Sequence, residues 1–202
     1  MIVAAVTNFI IHVISAGGYA GVAALMAIQS AAIPLPSEII MPFAGFLASQ
    51  GRFSLPLLAL VGALGNVAGG SAIYWLGRYG GRPLVERYGR FVLISRHDLD
   101  LADRFFARFG LFSIFVGRML PVVNTFISLP AGISRARFAP FVVYTFFGSL
   151  IWSFALAYFG SRLGPQWLEL RQRVHGLDYV VAVLVVIGGV WWVYRHFRRK
   201  PA

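Results

Sequence analysis

One glutamate and three prolines interrupt an otherwise apolar stretch of the chain. The stretch SAAIPLPSEIIMPFAG, residues 30–45, contains Pro34, Pro36 and Pro42, and Glu38 lies among them. Proline removes a backbone amide donor and breaks the hydrogen-bond ladder of a helix. The three prolines therefore predict a break in a helix, and Glu38 places a titratable group in that break.

A second proline-interrupted stretch contains a lone arginine. Residues 109–134 carry no charge except Arg118, and Pro121 and Pro130 interrupt them. An ionisable side chain at the centre of a bilayer costs about 2.5–3.5 kcal/mol on insertion scales, so such residues usually serve a function. We expect Arg118 to approach Glu38 in the membrane and to line a cavity that admits a charged substrate.

A structural role for the two charges is the alternative. Glu38 and Arg118 could neutralise each other as a buried pair, which apolar packing could replace at little cost. If they face a cavity instead, the guanidinium fork of Arg118 could bind two phosphate oxygens at once. Helix ends that stop at the two breaks would aim their partial charges into the same gap.

The composition predicts an integral membrane protein. Of the 202 residues, 58% are hydrophobic and 12% are charged, whereas soluble domains carry about 25% charged residues. About 20 apolar residues cross the hydrocarbon core of a bilayer. Residues 54–77 and 138–161 meet that requirement without a charge. A shorter span is predicted at 178–195.

The chain resembles itself in two places. AGFLASQGRFSLP, residues 44–56, resembles AGISRARFAP, residues 131–140, and YWLGRYG, residues 74–80, resembles AYFGSRLG, residues 157–164. One full span separates the two broken stretches, so they should enter the membrane from opposite faces. This pattern predicts an inverted repeat, and paired broken segments in such repeats mark the binding sites of transporters.

The predicted fold class is an all-α polytopic membrane protein, with an inverted repeat and two re-entrant helical hairpins plus full transmembrane helices. Gly17-Gly18 divides the apolar residues 2–33 into two pieces, each too short to cross alone. The whole chain, 1–202, is expected to form one transmembrane domain. Its parts are the first inverted repeat at 1–78, a cytoplasmic amphipathic segment at 79–108, the second inverted repeat at 109–162 and the extra C-terminal transmembrane helix at 178–195.

The basic residues predict the orientation. With 79–108, the turn at 135–137 and the C-terminal tail on one side, that side holds most of the arginines. The positive-inside rule makes it cytoplasmic, together with the C-terminus. The repeat puts the N-terminal segment outside, whereas a single crossing by residues 2–33 would put it inside. No basic residue precedes the first apolar stretch, so we expect no cleavable signal.

Other chemistry is poorly supported. The net charge of +11 fits contact with anionic lipid better than nucleic acid, because the basic residues lie between membrane spans. The acidic run HDLDLAD, residues 97–103, is interpreted as a solvated helix face, and no cofactor or metal is expected. Gly65, Gly69 and Gly70 are typical of close helix packing. For Asn66, a capping role and a contact with substrate remain equally open.

Three motifs together resemble the DedA family, also called the VTT or SNARE-associated Golgi protein domain. They are IPLPSEIIMPFAGFLA, GNVAGGSAIYWLGRYGG and GRMLPVVNTFISLPAGISRARFAPF, and the resemblance covers residues 17–165. It implies a protein that moves lipids across bilayers, as a flippase or scramblase. Bacterial members are linked to undecaprenyl phosphate recycling or phospholipid flipping, some with proton dependence.

The resemblance also assigns residues. Glu38 matches the second of two functional acids, and Arg118 matches the first of two functional arginines. The other acid and the other arginine are replaced here by Gln29 and Asn124, so the charge losses cancel. This departure weakens the expectation of strong proton coupling and of binding a doubly charged phosphate. Gln29 and Asn124 can still form neutral hydrogen bonds to a substrate.

The predicted function is therefore transport of a phosphate-headed lipid in the bacterial inner membrane. A lone Arg118 favours a glycerophospholipid diester over undecaprenyl phosphate, and coupling to protons and self-association are left open. Three alternatives remain. They are a proton-coupled transporter of small ions or solutes, a membrane enzyme acting on lipid phosphate, and a scaffold that tolerates loss of both charges.

Overall fold

The computed structural model describes residues 2–33, 35–92, 104, 106, 108–120 and 123–163. Residues 1–162 form one compact unit, and a second unit, residues 163–202, lies outside the described part except for its first residue. Every regular element within the described ranges is an α-helix. In chain order the helices are α1 Ile2–Ser30, α2 Ser37–Ser49, α3 Leu55–Val92, α4 Phe112–Arg118, α5 Val123–Phe126, α6 Ser128–Ile133 and α7 Phe138–Leu163.

Three of these helices are long and apolar enough to cross a membrane. They are Val6–Ser30 within α1, Leu55–Gly80 within α3, and α7 over its whole length. The predicted spans at 54–77 and 138–161 are confirmed as such helices, and the protein is a multi-pass membrane protein. The predicted helix at 178–195 lies outside the described residues. So does most of the segment predicted at 79–108, into which α3 continues as far as Val92.

A kink at Gly18 divides α1. Its backbone lies at φ 56° and ψ −136°, a conformation that glycine adopts without a steric penalty. Beside the kink, the rings of Tyr19 and Phe53 lie 4.8 Å apart, and the amide of Ser54 donates to the Tyr19 hydroxyl at 2.7 Å. The predicted division is confirmed. Of the two arrangements left open for residues 2–33, the single crossing is possible by length, because Val6–Ser30 as a whole is long and apolar enough to span.

The first break in the chain separates α1 from α2. The backbone turns through Ala32, with φ 63°, and Pro36 is the extended residue that precedes α2. Pro42 does not break the helix as predicted, because it lies inside α2. A proline there removes only one bond, to the carbonyl of Glu38, and its backbone packs closely on Gly160 of α7. Pro34 lies outside the described residues.

The second break follows Arg118 at the end of α4. The chain resumes in two short helices, α5 and α6, before the long α7. Pro130 was predicted to interrupt this stretch, but it is the third residue of α6. That prediction is wrong because the first turn of a helix has amides without helical partners, so a proline costs no bond there. Pro121 lies outside the described residues.

Helix α2 packs on α7 through glycines on both sides. A methyl group built on Gly45 would overlap the carbonyl of Ala157, and one built on Gly160 would overlap the carbonyl of Pro42. Small residues let helix backbones approach this closely in membranes, where van der Waals packing drives association. The first broken segment is thus held by the last long helix.

Helix α6 packs on α3 in the same way. A methyl on Gly132 would overlap the carbonyl of Tyr74, and one on Gly77 would lie 2.6 Å from the carbonyl of Leu129. The second broken segment is thus held by the first uninterrupted long helix. The same short sequences that resemble each other, at 44–56 with 131–140 and at 74–80 with 157–164, provide both contacts.

Apolar side chains fill the interior and also cover much of the outside. One core joins α1, α2 and single residues of α3 and α7, and its fully buried members include Ile14, Met26, Ile40 and Met41. On the outer face of α7, Phe147, Ile151 and Phe154 are about half exposed. Such a surface is expected for helices whose solvent is hydrocarbon.

Candidate functional site

Arg118 lies wholly buried at the last residue of α4, with 0% of its surface exposed. Its Nη1 donates to the Ser30 hydroxyl at 2.9 Å and to the backbone oxygen of Asn124 at 2.8 Å. The Asn124 side-chain Oδ1 is 3.2 Å from the same nitrogen. Nη2 donates to the Ser128 hydroxyl at 2.6 Å. The end of α1 and both short helices after the second break therefore converge on one guanidinium.

Two glycines make room for this side chain. A methyl on Gly70 of α3 would overlap Nη2 of Arg118 and lie 2.9 Å from the Ser128 hydroxyl. A methyl on Gly148 of α7 would lie 2.8 Å from Cβ of Arg118. The predicted packing role is confirmed for Gly65, which meets the backbone of α1. Gly70 differs, because it borders the arginine.

Gln29 and Asn124 both belong to the same cluster. Each is 2% exposed, and the Gln29 side-chain amide donates to the Thr125 hydroxyl at 2.8 Å. This bond joins the end of α1 to α5, next to the residue that contacts Arg118. Three of the four predicted binding residues are therefore brought together.

Some polar atoms of the cluster have no partner among the described residues. They are Nε of Arg118, Nδ2 of Asn124 and Oε1 of Gln29. Buried polar atoms in native proteins are nearly always paired, with protein or with ordered water. Two donors and one acceptor are thus available to a molecule that enters the cluster.

Glu38 does not join this cluster. It lies in the first turn of α2 with its side chain exposed, and no hydrogen bond or ion pair of Glu38 exists within the described part of the chain. The expected approach of Glu38 to Arg118 is therefore wrong for this structure. The reason is the position of Glu38 around the helix axis. Ser37, Ile40 and Met41 lie on the buried face of α2, and Glu38 lies on the exposed face.

The cluster is electrostatically incomplete. All four hydrogen bonds of Arg118 go to neutral oxygens, and no carboxylate among the described side chains contacts it. A buried charge is costly unless it is paired. A guanidinium held in this way is suited to bind an anion with planar or forked oxygens, such as a phosphate.

Sequence reasoning missed the hydroxyl partners. Ser30, Thr125 and Ser128 were not singled out, because serine and threonine are common in transmembrane helices and give no distinctive spacing. One signal was available, since Ser30 directly follows Gln29 and Thr125 directly follows Asn124. The acidic run at 97–103, considered for metal binding, lies outside the described residues. Within the described ones, no group of three metal-binding side chains occurs.

Comparison with known proteins gives several relatives over most of the chain. Undecaprenyl phosphate transporter A of Bacillus subtilis (strain 168) is 35% identical over 170 residues, which cover 84% of this chain and 84% of that protein. The uncharacterized membrane protein YkoX of the same organism is 39% identical over 166 residues, 82% of this chain and 74% of that protein. An alkaline phosphatase-like protein of Lactococcus lactis subsp. lactis (strain IL1403) is 31% identical over 191 residues, 92% of this chain and 88% of that protein.

No solved structure matches the chain. The family description that matches is the VTT domain, over residues 35–162. This range begins at Leu35, near the end of the first break, and ends at Arg162, so it includes the second break and the residues around Arg118 from α3 to α7. The expected resemblance to the DedA family is confirmed, and the chain belongs to the VTT-domain family of membrane proteins.

Proposed function

We propose that this protein transports a phosphate-headed lipid across the bacterial inner membrane. One observation carries the proposal: a fully buried guanidinium, Arg118, whose contacts are all neutral. An uncompensated positive charge at membrane depth is costly, and a phosphate group would compensate it. The relative named undecaprenyl phosphate transporter A supports the same class of substrate.

The geometry suggests how the head group is held. Arg118 Nε and Asn124 Nδ2 have no partner among the residues that the structure describes, so both can donate to phosphate oxygens without breaking a bond seen there. The hydroxyl of Ser128, which accepts from the guanidinium now, can turn its hydrogen toward the anion. The hydrocarbon tail stays in the lipid phase outside the helices, because the half-exposed face of α7 is apolar.

The two broken segments are proposed to be re-entrant hairpins that enter from opposite faces of the membrane. The support is the reciprocal packing, in which α2 lies on α7 and α6 lies on α3. Single cysteines at positions 35–38 and 119–124 test the arrangement, because the chain has no native cysteine. We expect water-soluble thiol reagents to reach the two sets from opposite faces. Labelling of both sets from one face contradicts the inverted repeat.

The head group itself can be a monoester or a diester. Two relatives named undecaprenyl phosphate transporter A, from Bacillus subtilis and Staphylococcus aureus (strain NCTC 8325 / PS 47), favour the polyprenyl monoester. Asn124 replaces the second arginine that the family resemblance leads us to expect, and a single arginine at the site favours a singly charged diester. A phosphate monoester carries about −1.5 to −2 charge near neutral pH, so the two substrates make different demands on the site.

The decisive experiment uses purified protein in phosphatidylcholine vesicles. Labelled polyprenyl phosphate, labelled glycerophospholipid and labelled polyprenol, which lacks the phosphate, are followed from one leaflet to the other. We expect faster movement of at least one phosphate-headed lipid than in protein-free vesicles, and no acceleration of polyprenol. Equal acceleration of polyprenol contradicts a site built on Arg118, because the phosphate would then play no part.

A lipid phosphatase is the second candidate function, because one relative is named an alkaline phosphatase-like protein. The same vesicles test it directly through the release of inorganic phosphate. Release of phosphate at the rate at which labelled lipid disappears would favour the enzyme, whereas movement of intact lipid favours transport. Glu38, exposed at the start of α2, is the proposed link to protons, and its role can be read from the pH dependence of the same transport rates.

A further inference from the structure

Four polar side chains on two long helices are wholly buried and unpaired. Asn66 on α3 and Thr145, Ser149 and Ser153 on α7 each have 0% of their surface exposed. Neither the side-chain amide of Asn66 nor any of the three hydroxyls has a hydrogen-bond partner within the described part of the chain. The three hydroxyls are spaced four residues apart, so they form one stripe along α7.

Asn66 lies on the face of α3 that meets this stripe. Gly62, Asn66 and Gly70 are also four residues apart and share one face of α3. A methyl on Gly62 would lie 3.0 Å from the hydroxyl of Ser153, whereas Gly70 borders the guanidinium of Arg118. The amide of Asn66 therefore lies between Ser153 and the arginine along α3.

Short contacts connect this polar stripe to the Arg118 cluster. The Ser30 hydroxyl donates to the backbone oxygen of Asn66 at 3.0 Å and accepts from Arg118 at 2.9 Å. On α7, Gly148 packs against Cβ of Arg118, and Ser149 is the next residue. The unpaired groups therefore begin at the cluster and continue away from it between α3 and α7.

We propose that Asn66, Ser149 and Ser153 form a second, neutral station for the phosphate group of the transported lipid, next to Arg118. The proposal rests on the function proposed above. A carboxamide nitrogen and two hydroxyls are donors that can replace the water around phosphate oxygens. Hydrogen bonds from neutral donors are weaker than those from a guanidinium, so the phosphate can leave this station after it has left Arg118.

The unpaired state of these groups separates this role from a structural one. A hydroxyl that holds two helices together is paired, and its removal destabilises the fold. An unpaired buried hydroxyl already destabilises the closed arrangement, so its replacement by alanine is neutral or stabilising. Station residues should therefore lose transport without losing stability.

The double variant Ser149→Ala with Ser153→Ala tests this in the vesicle assay. We expect transport of labelled polyprenyl phosphate or glycerophospholipid to fall at least about tenfold, since two hydrogen bonds to a charged group are lost. The unfolding temperature should equal or exceed that of the wild type. Ser161→Ala is the matched control, because this hydroxyl lies near the C-terminal end of α7 and donates to the Tyr158 carbonyl at 2.7 Å.

The outcomes separate the station from the transport function. If the wild type moves neither lipid, the proposed function fails and the station fails with it. If the wild type moves lipid and Arg118→Ala does not, but the double serine variant matches the wild type, the station alone is wrong. A double variant that loses transport together with several degrees of unfolding temperature shows a structural role and also overturns the proposal.

Cysteine accessibility gives an independent measurement. A charged, water-soluble thiol reagent reacts with a thiolate, which forms only where water enters. We expect Ser153→Cys to react about tenfold faster than Ile151→Cys during transport, because Ile151 is 47% exposed on the apolar outer face. Equal reaction rates at the two positions overturn the proposal, because the stripe would then never line a wet passage.

Discussion

Each of the two breaks in this chain lies beside one charged residue, but one of these side chains is exposed and the other is buried. At the first break, Glu38 follows the extended Pro36 and lies exposed in the first turn of α2. At the second, Arg118 ends α4 and is wholly buried by α1, α3 and the short helices that follow. The acid is exposed and lies outside the Arg118 cluster, whereas the base is enclosed within it.

This difference follows from position within a helix. Glu38 begins its helix, where the N-terminal dipole stabilises a carboxylate without an ion pair. Arg118 ends its helix, where the dipole also favours a cation, but its long side chain extends into the gap left by Gly70. The comparison shows that one charged side chain is exposed, whereas the other is enclosed among neutral partners.

The largest effect is expected for Arg118→Ala. A hydrogen bond to a charged group is worth about 1.5–3 kcal/mol, so the loss of two or more should lower the transport rate about 100-fold or more. Arg118→Lys should recover little, because a point ammonium lacks the bidentate fork. Transport rates in vesicles, normalised to the amount of inserted protein, measure both. Near wild-type transport by Arg118→Ala rejects the site assignment.

A smaller effect is expected for Gly70→Ala. Its methyl overlaps the guanidinium, and overpacking of this kind costs about 1–3 kcal/mol. Transport should fall about tenfold as Arg118 is displaced. Gly17→Ala is the control, because no atom of the described residues lies within 4 Å of a methyl there. If the two alanines behave alike, the position of the guanidinium is not what limits transport.

Glu38→Gln should have a milder effect still. The side chain has no partner among the described residues, so the fold should keep its unfolding temperature. We expect transport to fall about threefold, a difference of under 1 kcal/mol, and its pH dependence to flatten. Glu38→Asp keeps the charge and should keep the pH dependence. An unchanged pH profile in Glu38→Gln removes this residue from proton coupling.

The smallest expected change is a shift in preference. Gln29→Glu with Asn124→Arg keeps the net charge, and the Gln29–Thr125 bond places the two altered positions close together. The pair should shift competition toward polyprenyl phosphate, because a second arginine suits a doubly charged group. Asn124→Arg alone should express poorly, since it adds an unpaired charge beside Arg118. An unmoved preference in the double variant shows that arginine number does not select the head group.

The sequence predicted the long spans, the arginine within the membrane and its neighbours Gln29 and Asn124, but not the hydroxyl groups around it. The spans at 54–77 and 138–161 follow from length and apolarity alone. Residue type alone predicted helix breaks at Pro42 and Pro130, but both prolines lie inside helices. Pro42 is accommodated in α2 next to Gly160, and Pro130 lies in the first turn of α6. The exposure of Glu38 depends on which face of α2 it occupies after the break. The contact of Ser128 with Arg118 depends on how three separate segments pack together, which the sequence does not show.

The reciprocal glycine contacts impose an order on biosynthesis. Gly45 packs on Ala157, and Gly132 packs on Tyr74, so each broken segment makes a close glycine contact with a helix of the other half. At about 5–20 residues per second, a ribosome needs several seconds after making α2 before it reaches α7. During that time Gly45 of α2 lacks its contact on Ala157 of α7. The packing of the first broken segment is therefore complete only after the second half of the chain has been made.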